Sequence, residues 1–333
     1  MAKLPTQHTV TQHTAAMPSH PPSSPAAAPV WRRLLYGVGI TVGLALFVYQ
    51  AAQGWTAFRE AGACLVHPGY LLVGVALYAG GYGVLMAAWG AIMASQGVTL
   101  HPAAIVQGYL LSFLPRYIPG SVWGYLSRNE WLAHHHGVGY GVATLTSLME
   151  AGLLLLTAVA LAGTLLTPAP WNLLVAGGGL AAVWLTWVLT PALWRRLRGA
   201  PAAPQATTGW WVVATLYGVF WALQGAALLA AHHALCGVTP LGLGQSIAAA
   251  SLAWAVGFLV LIVPAGLGVR EWTLSALLAL LAGVASAQSH LLAVTGRVLL
   301  VVAELIVLGI GLHGTLHTWW SKRNDAIRNR PIV

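Results

Sequence analysis

The sequence predicts an all-α polytopic membrane protein, with about six full spans and two oppositely oriented re-entrant helical hairpins in an inverted-repeat organisation. Three observations predict it. The chain of 333 residues is 58% hydrophobic and only 6% charged, whereas a soluble domain carries about 25% charged residues. Apolar runs long enough to cross about 30 Å of hydrocarbon recur along it. Two further apolar regions are interrupted by proline, glycine and arginine. So little polar sequence excludes a soluble catalytic domain. The net charge of +9 fits cytoplasmic loops and anionic lipid headgroups rather than nucleic acid. Two cysteines, Cys64 and Cys236, exclude a cysteine-built zinc or iron–sulfur centre. No cofactor or metal is expected.

Residues 1–30, rich in Pro, Ala, Thr, Ser and His, lack an apolar run and read as a disordered cytoplasmic tail. His8, His13 and His20 are incidental to that tail. Trp31-Arg32-Arg33 marks a cytoplasmic interface before the first span, about Leu34 to Ala52. A second span runs from about Tyr70 to Ser95. The segment 101–128 opens His101-Pro102 and is broken at Pro115, Arg116, Pro119 and Gly120. Asn129-Glu130-Trp131 and His134-His135-His136 then read as a solvated polar loop. Spans follow at about Val142 to Leu166 and Trp171 to Trp194, the latter closed by Arg195-Arg196-Leu197-Arg198. Residues 31–198 thus form a first membrane half, and 199–208 a Gly/Pro/Ala linker. The second half, 209–318, holds a span from Gly209 to Leu235, a re-entrant region over 239–285 broken at Pro264 to Gly268, and a last span from Ser289 to His317. Residues 319–333 form a basic cytoplasmic tail.

Charge placement selects the topology. If both broken segments crossed the membrane, the three arginines after Trp194 would lie outside. If each enters and leaves on one side, eleven Lys/Arg are cytoplasmic, Arg59 is outside, and Arg116, Arg270 and Arg297 are in the membrane. The positive-inside rule favours the second arrangement, with both termini cytoplasmic in a bacterial inner membrane. The first hairpin then enters from the cytoplasm and the second from outside. Each opens with X-Pro, carries a glutamine before its break (Gln107, Gln245) and is followed by a charged span. Opposed repeats of this kind mark transporters.

Two motifs carry a resemblance. They are Leu114-Pro115-Arg116-Tyr117-Ile118-Pro119-Gly120, with Arg128 and Glu150 after it, and Val263-Pro264-Ala265-Gly266-Leu267-Gly268-Val269-Arg270-Glu271, with Arg297 after it. Over about residues 30 to 318 the chain resembles the lysylphosphatidylglycerol synthase transmembrane-region family of flippase-like membrane proteins. The resemblance implies a module that performs or accompanies transbilayer movement of lipids or lipid-linked intermediates. The aminoacyl-transferase domain of some members has no counterpart here, so synthase activity does not carry over. Ser121-Val122-Trp123 stands where many members have an acidic residue. That departure is closer to the stand-alone branch linked to polyprenyl-lipid assembly, and it leaves the substrate open.

Intramembrane charges are functional candidates by default, and an anionic headgroup needs donors in place of water. Arg116, Arg128, Arg270 and Arg297 offer forked donors suited to phosphate. Gly120, Gly266 and Gly268 let backbone approach an anion at exposed helix N-termini. Glu150, Glu271 and Glu304 hold the arginines or exchange protons. These ten residues form the expected substrate site, with Trp123 and Trp272 flanking the breaks. The expected function is flippase-like transport of an anionic phospholipid or polyprenyl-phosphate-linked intermediate, without catalysis. The alternatives are a non-transporting partner of a glycosyltransferase or lipid synthase, and a headgroup enzyme at the membrane face using Glu130 with His134 to His136. The same charges also fit structural ion pairs.

Overall fold

A computed structural model describes residues 30–60, 67–118, 122–198, 209–235 and 241–328. The expected tail, linker, Gly120 and both cysteines lie outside them. The regular elements are all helical: α1 (Val30–Glu60), α2 (Gly69–Ser95), α3 (Pro102–Leu110), α4 (Trp123–His136), α5 (Tyr140–Leu166), α6 (Trp171–Arg198), α7 (Trp210–Ala234), α8 (Leu243–Leu259), α9 (Val269–Ala282) and α10 (Ser286–Arg328). Six stretches are long and apolar enough to span: α2, α5, α6, α7, α10 and Pro264–Ala282. The protein is an all-α polytopic membrane protein. The last of those six is α9 with its leading turn; α9 alone has 14 residues, about 21 Å at 1.5 Å per residue, too short for about 30 Å of hydrocarbon. The 31 residues of α1 are ample in length.

Both interrupted segments fold back on themselves. In the first, α3 and α4 flank a 3-10 turn at Pro115–Tyr117. The pair is antiparallel: a Cβ on Gly108 would lie 2.6 Å from the Trp131 ring, and the Ser127 hydroxyl donates to the Leu111 carbonyl at 3.2 Å. In the second, α8 and α9 flank a 3-10 turn at Pro264–Gly266. Gln245, at the start of α8, donates its amide to the Leu281 carbonyl, at the end of α9, at 2.7 Å. The two turns touch each other. The hairpins open at opposite ends of α5: α4 ends at Gly137, beside the first residue of α5, whereas Gly244 packs against Leu165 at its other end. Opening at opposed ends is the expected arrangement of the hairpins; the contact between their tips is what the tertiary structure adds.

Local sequence explains these ends. His101 accepts from the Ala103 amide at 3.3 Å, and Pro102 occupies the first turn of α3, where no amide donor is required. The side chain of Gln245 reaches back to the Gly242 amide at 3.0 Å. Thus the two glutamines of the apparent repeat are not equivalent, since His101 rather than Gln107 caps the first hairpin. Gly137 and Gly283, both at φ 62°, end α4 and α9 in the left-handed conformation that glycine adopts without a Cβ clash.

Three expectations are corrected. The first hairpin extends to His136 rather than ending at 128, and Asn129 to His136 is helix, not loop. Composition suggested a loop, but one face of that helix, Arg128, Asn129 and Leu132, is buried, and Asn129 pairs with Ser147 of α5 at 2.9 Å. Consequently Arg128, one of the eleven residues counted as cytoplasmic, is buried within the protein instead. Finally, α1 continues past Ala52, through Gly54, to Glu60, and α10 past His317 to Arg328, as unbroken helix.

Small residues permit the packing. Ala248, Ala249, Ala250 and Ala253 are buried along α8, and Gly225 of α7 lies so close that a Cβ would sit 2.6 Å from the Ile247 Cα. Such close backbone approach is how helices associate without a hydrophobic driving force. By contrast, α6 lies at the periphery against α5, with Val183 its one fully covered large apolar residue among those described.

Candidate functional site

Where the hairpin tips meet, a cavity with about 1010 Å³ of empty space, part of it open to the surroundings, is lined by charged and aromatic side chains. Six of the ten expected site residues line it: Arg116, Arg128, Glu150, Arg270, Arg297 and Glu304. They come from the first turn, α4, α5, α9 and α10. Glu271 stands behind them, paired with Arg297. Sequence separation between partners reaches 188 positions for Arg116 and Glu304, so only the fold joins them.

The ion pairs are of two kinds. Arg128 and Glu150 are hydrogen-bonded, with side chains only 1% and 3% exposed. The Arg128 guanidinium stacks 4.4 Å from the Trp89 ring and 5.3 Å from that of Tyr109. Arg297 Nε lies 3.5 Å from Glu271 Oε1, with both side chains similarly covered. The other oxygen of Glu271 accepts the Gly268 amide at 2.6 Å. These two pairs are enclosed by protein. Arg116 differs: its Nη1 lies 3.2 Å from Glu304 Oε1, but its side chain remains 27% exposed. It also stacks 4.3 Å from the Phe113 ring. Glu304 accepts two tyrosine hydroxyls as well, from Tyr82 and, at 2.5 Å, from Tyr117.

Arg270 is different again. It is partly buried and lines the cavity, and among the described residues no carboxylate stands within ion-pairing distance of it. The cavity region therefore holds four guanidinium groups against three carboxylates, an excess of one positive charge.

Two glycines of the second motif do not face the cavity. A Cβ on Gly266 (φ +66°) would lie 2.9 Å from the Gly257 Cα, and one on Gly268 (φ +78°) 2.5 Å from the Gly43 carbonyl oxygen of α1. Their role is close helix approach in a backbone conformation that side chains resist. The N-terminus of α9 is already capped by Glu271, so it is not the open anion site that the glycine spacing suggests. Trp123 and Trp272 are not cavity residues either; Trp272 packs on Tyr49 of α1 at 6.1 Å.

Composition did not single out the aromatic shell. Tyr117 sits inside the quoted first motif and was legible there. Tyr82 is 222 positions from its partner Glu304, and nothing near it in sequence distinguishes it from a lipid-facing tyrosine. Gln224, Trp254 and Phe258 complete the wall in the same way.

Outside the cavity, Glu130 accepts the Tyr140 hydroxyl and lies 2.6 Å from His134 Nε2. The Tyr140 hydrogen bond, with that from His134, holds the Glu130 carboxyl below its ordinary range. This exposed group lies at the open end of the first hairpin. Among the described residues no cluster of three or more His, Cys, Asp or Glu could hold a metal.

No protein-family model matches the chain, and no curated protein matches it.

Proposed function

We propose that this chain is a flippase-like carrier of an anionic phospholipid or polyprenyl-phosphate-linked intermediate, and that the cavity between the hairpin tips is its substrate site. The observation that carries the reading is Arg270, a guanidinium facing the cavity without a carboxylate partner among the described residues. Even a partly buried charge with no counter-ion carries part of the cost of desolvation, and an anionic ligand lowers that cost. Arginine offers phosphate a planar, bidentate donor fork. The opposed hairpins support alternating exposure of one central site to the two leaflets. The resemblance of the two motifs to flippase-like proteins supports the same reading, and the distribution of arginines favours an orientation with both termini cytoplasmic.

The test is reconstitution in proteoliposomes carrying a fluorescent anionic phospholipid, with dithionite quenching of the outer leaflet. Wild-type protein accelerates exchange between leaflets, and Arg270→Ala lowers the initial rate at least tenfold while the protein remains folded. Full transport by that variant overturns the site. A non-transporting partner of a glycosyltransferase leaves lipid exchange at the protein-free rate for both proteins.

A further inference from the structure

Resting on that reading, we propose that Glu304 is an internal ligand that sets the charge of the site, so that the site selects one phosphate diester of charge −1 over a dianionic headgroup. Burial separates the three pairs. Arg128–Glu150 and Arg297–Glu271 are enclosed, with side chains at most 5% exposed. Arg116–Glu304 borders the cavity, with the arginine 27% exposed. An anion entering the cavity reaches Arg270 and Arg116 first, and at Arg116 it meets Glu304 already in place.

Glu304 is held as a ligand would be. Its two oxygens take one guanidinium and two tyrosine hydroxyls, Tyr82 from α2 and Arg116 and Tyr117 from the first hairpin turn. Charge-assisted bonds of this kind are the strong ones. The same donors suit the non-bridging oxygens of a phosphate, which can replace the carboxylate only by displacing it. With Glu304 ionised, the excess of one positive charge matches a diester, whether its other arm is a glycerolipid or a polyprenyl-phospho-sugar. A diphosphate or a doubly ionised monoester brings a second negative charge that nothing in the cavity balances. Uncompensated charge is expensive where water is scarce.

The charge count makes the test discriminating. Purified protein is titrated in detergent at pH 8 with dioctanoyl phosphatidylglycerol (charge −1), dioctanoyl phosphatidic acid (towards −2) and dioctanoyl phosphatidylcholine (zwitterionic), with tryptophan fluorescence as readout. Wild-type protein binds the glycerol lipid at least tenfold more tightly than either of the others. Glu304→Gln adds one net positive charge and shifts the preference to phosphatidic acid by at least tenfold. Arg116→Gln with Glu304→Gln removes both members of the pair, keeps the excess at one positive charge, folds if the single variant does not, and returns the preference to the glycerol lipid. Arg270→Gln brings the count to zero and removes discrimination against phosphatidylcholine. Anion binding whose preference is the same in all these variants overturns the role of Glu304 and leaves the cavity reading standing. Absence of binding by any anionic lipid overturns both.

Discussion

Removing the carboxylate of Glu150 tests whether the enclosed pairs hold the helices together. Glu150→Gln leaves Arg128 ionised, 1% exposed, and without its counter-ion. Breaking a buried pair on one side costs about 3–5 kcal/mol. Arg128 keeps its stacking on Trp89 at 4.4 Å and on Tyr125 at 5.4 Å, each worth about 0.5–2 kcal/mol. Those contacts exist before and after the change and do not replace the lost charge. The Nε of Arg128 already lacks a hydrogen-bond partner, so no spare acceptor is at hand to take over. The cost therefore falls in the upper part of that range, a large share of the 5–15 kcal/mol that holds a typical protein folded. The assay is thermal unfolding in detergent, followed by tryptophan fluorescence and by retention of the monodisperse peak. Glu150→Gln loses most of its folded fraction well below the wild-type midpoint. Arg128→Met with Glu150→Leu recovers most of the loss, because a packed apolar replacement of a buried pair is often neutral. A single variant within about 1 kcal/mol of wild type, the scale of an exposed pair, would refute the reasoning.

Other outcomes follow from the same geometry. Gly268→Ala puts a Cβ 2.5 Å from the Gly43 carbonyl at φ +78° and sharply reduces the yield of folded protein. Gly137→Ala, at φ +62° with open space around it, costs only about 1–2 kcal/mol, and unfolding midpoints compare the two. In a background with Cys64 and Cys236 replaced by serine, Gly139→Cys is labelled by an impermeant maleimide from the cytoplasm and Leu243→Cys from outside. Labelling of both from one side contradicts opposed hairpin entry. The depressed Glu130 carboxyl contributes above its ordinary value, and its contribution fades as pH falls through the lower folded value. Tyr140→Phe moves the pH midpoint of carbodiimide labelling at Glu130 upward, and an unmoved midpoint removes the role of that hydrogen bond.

Pairing the charges required the tertiary structure. Arg270 and Glu271 are adjacent, yet Glu271 turns to Arg297 and to its own helix N-terminus while Arg270 faces the cavity. Arg297 and Glu304 lie two turns apart on α10, yet serve different partners. Both outcomes depend on which helix lies opposite, and neighbours in sequence do not report that. The polar run from Asn129 to His136 misleads for a related reason: its composition is that of a loop, and only its burial against α5 keeps it helical.

The sequence by itself determined that the chain is helical and membrane-embedded, that two segments are interrupted, and that arginines and glutamates sit at those interruptions. Those properties are local: apolar length, proline and glycine positions, and the rarity of charge in a run that must face hydrocarbon. Only the tertiary structure decided that the two interruptions touch, that Gly266 and Gly268 serve helix contact, that tyrosines from distant helices hold Glu304, and that Arg270 is left over. Each of these depends on surfaces brought together across up to 222 positions of chain, where the balance of charge is set by packing rather than by order in the sequence.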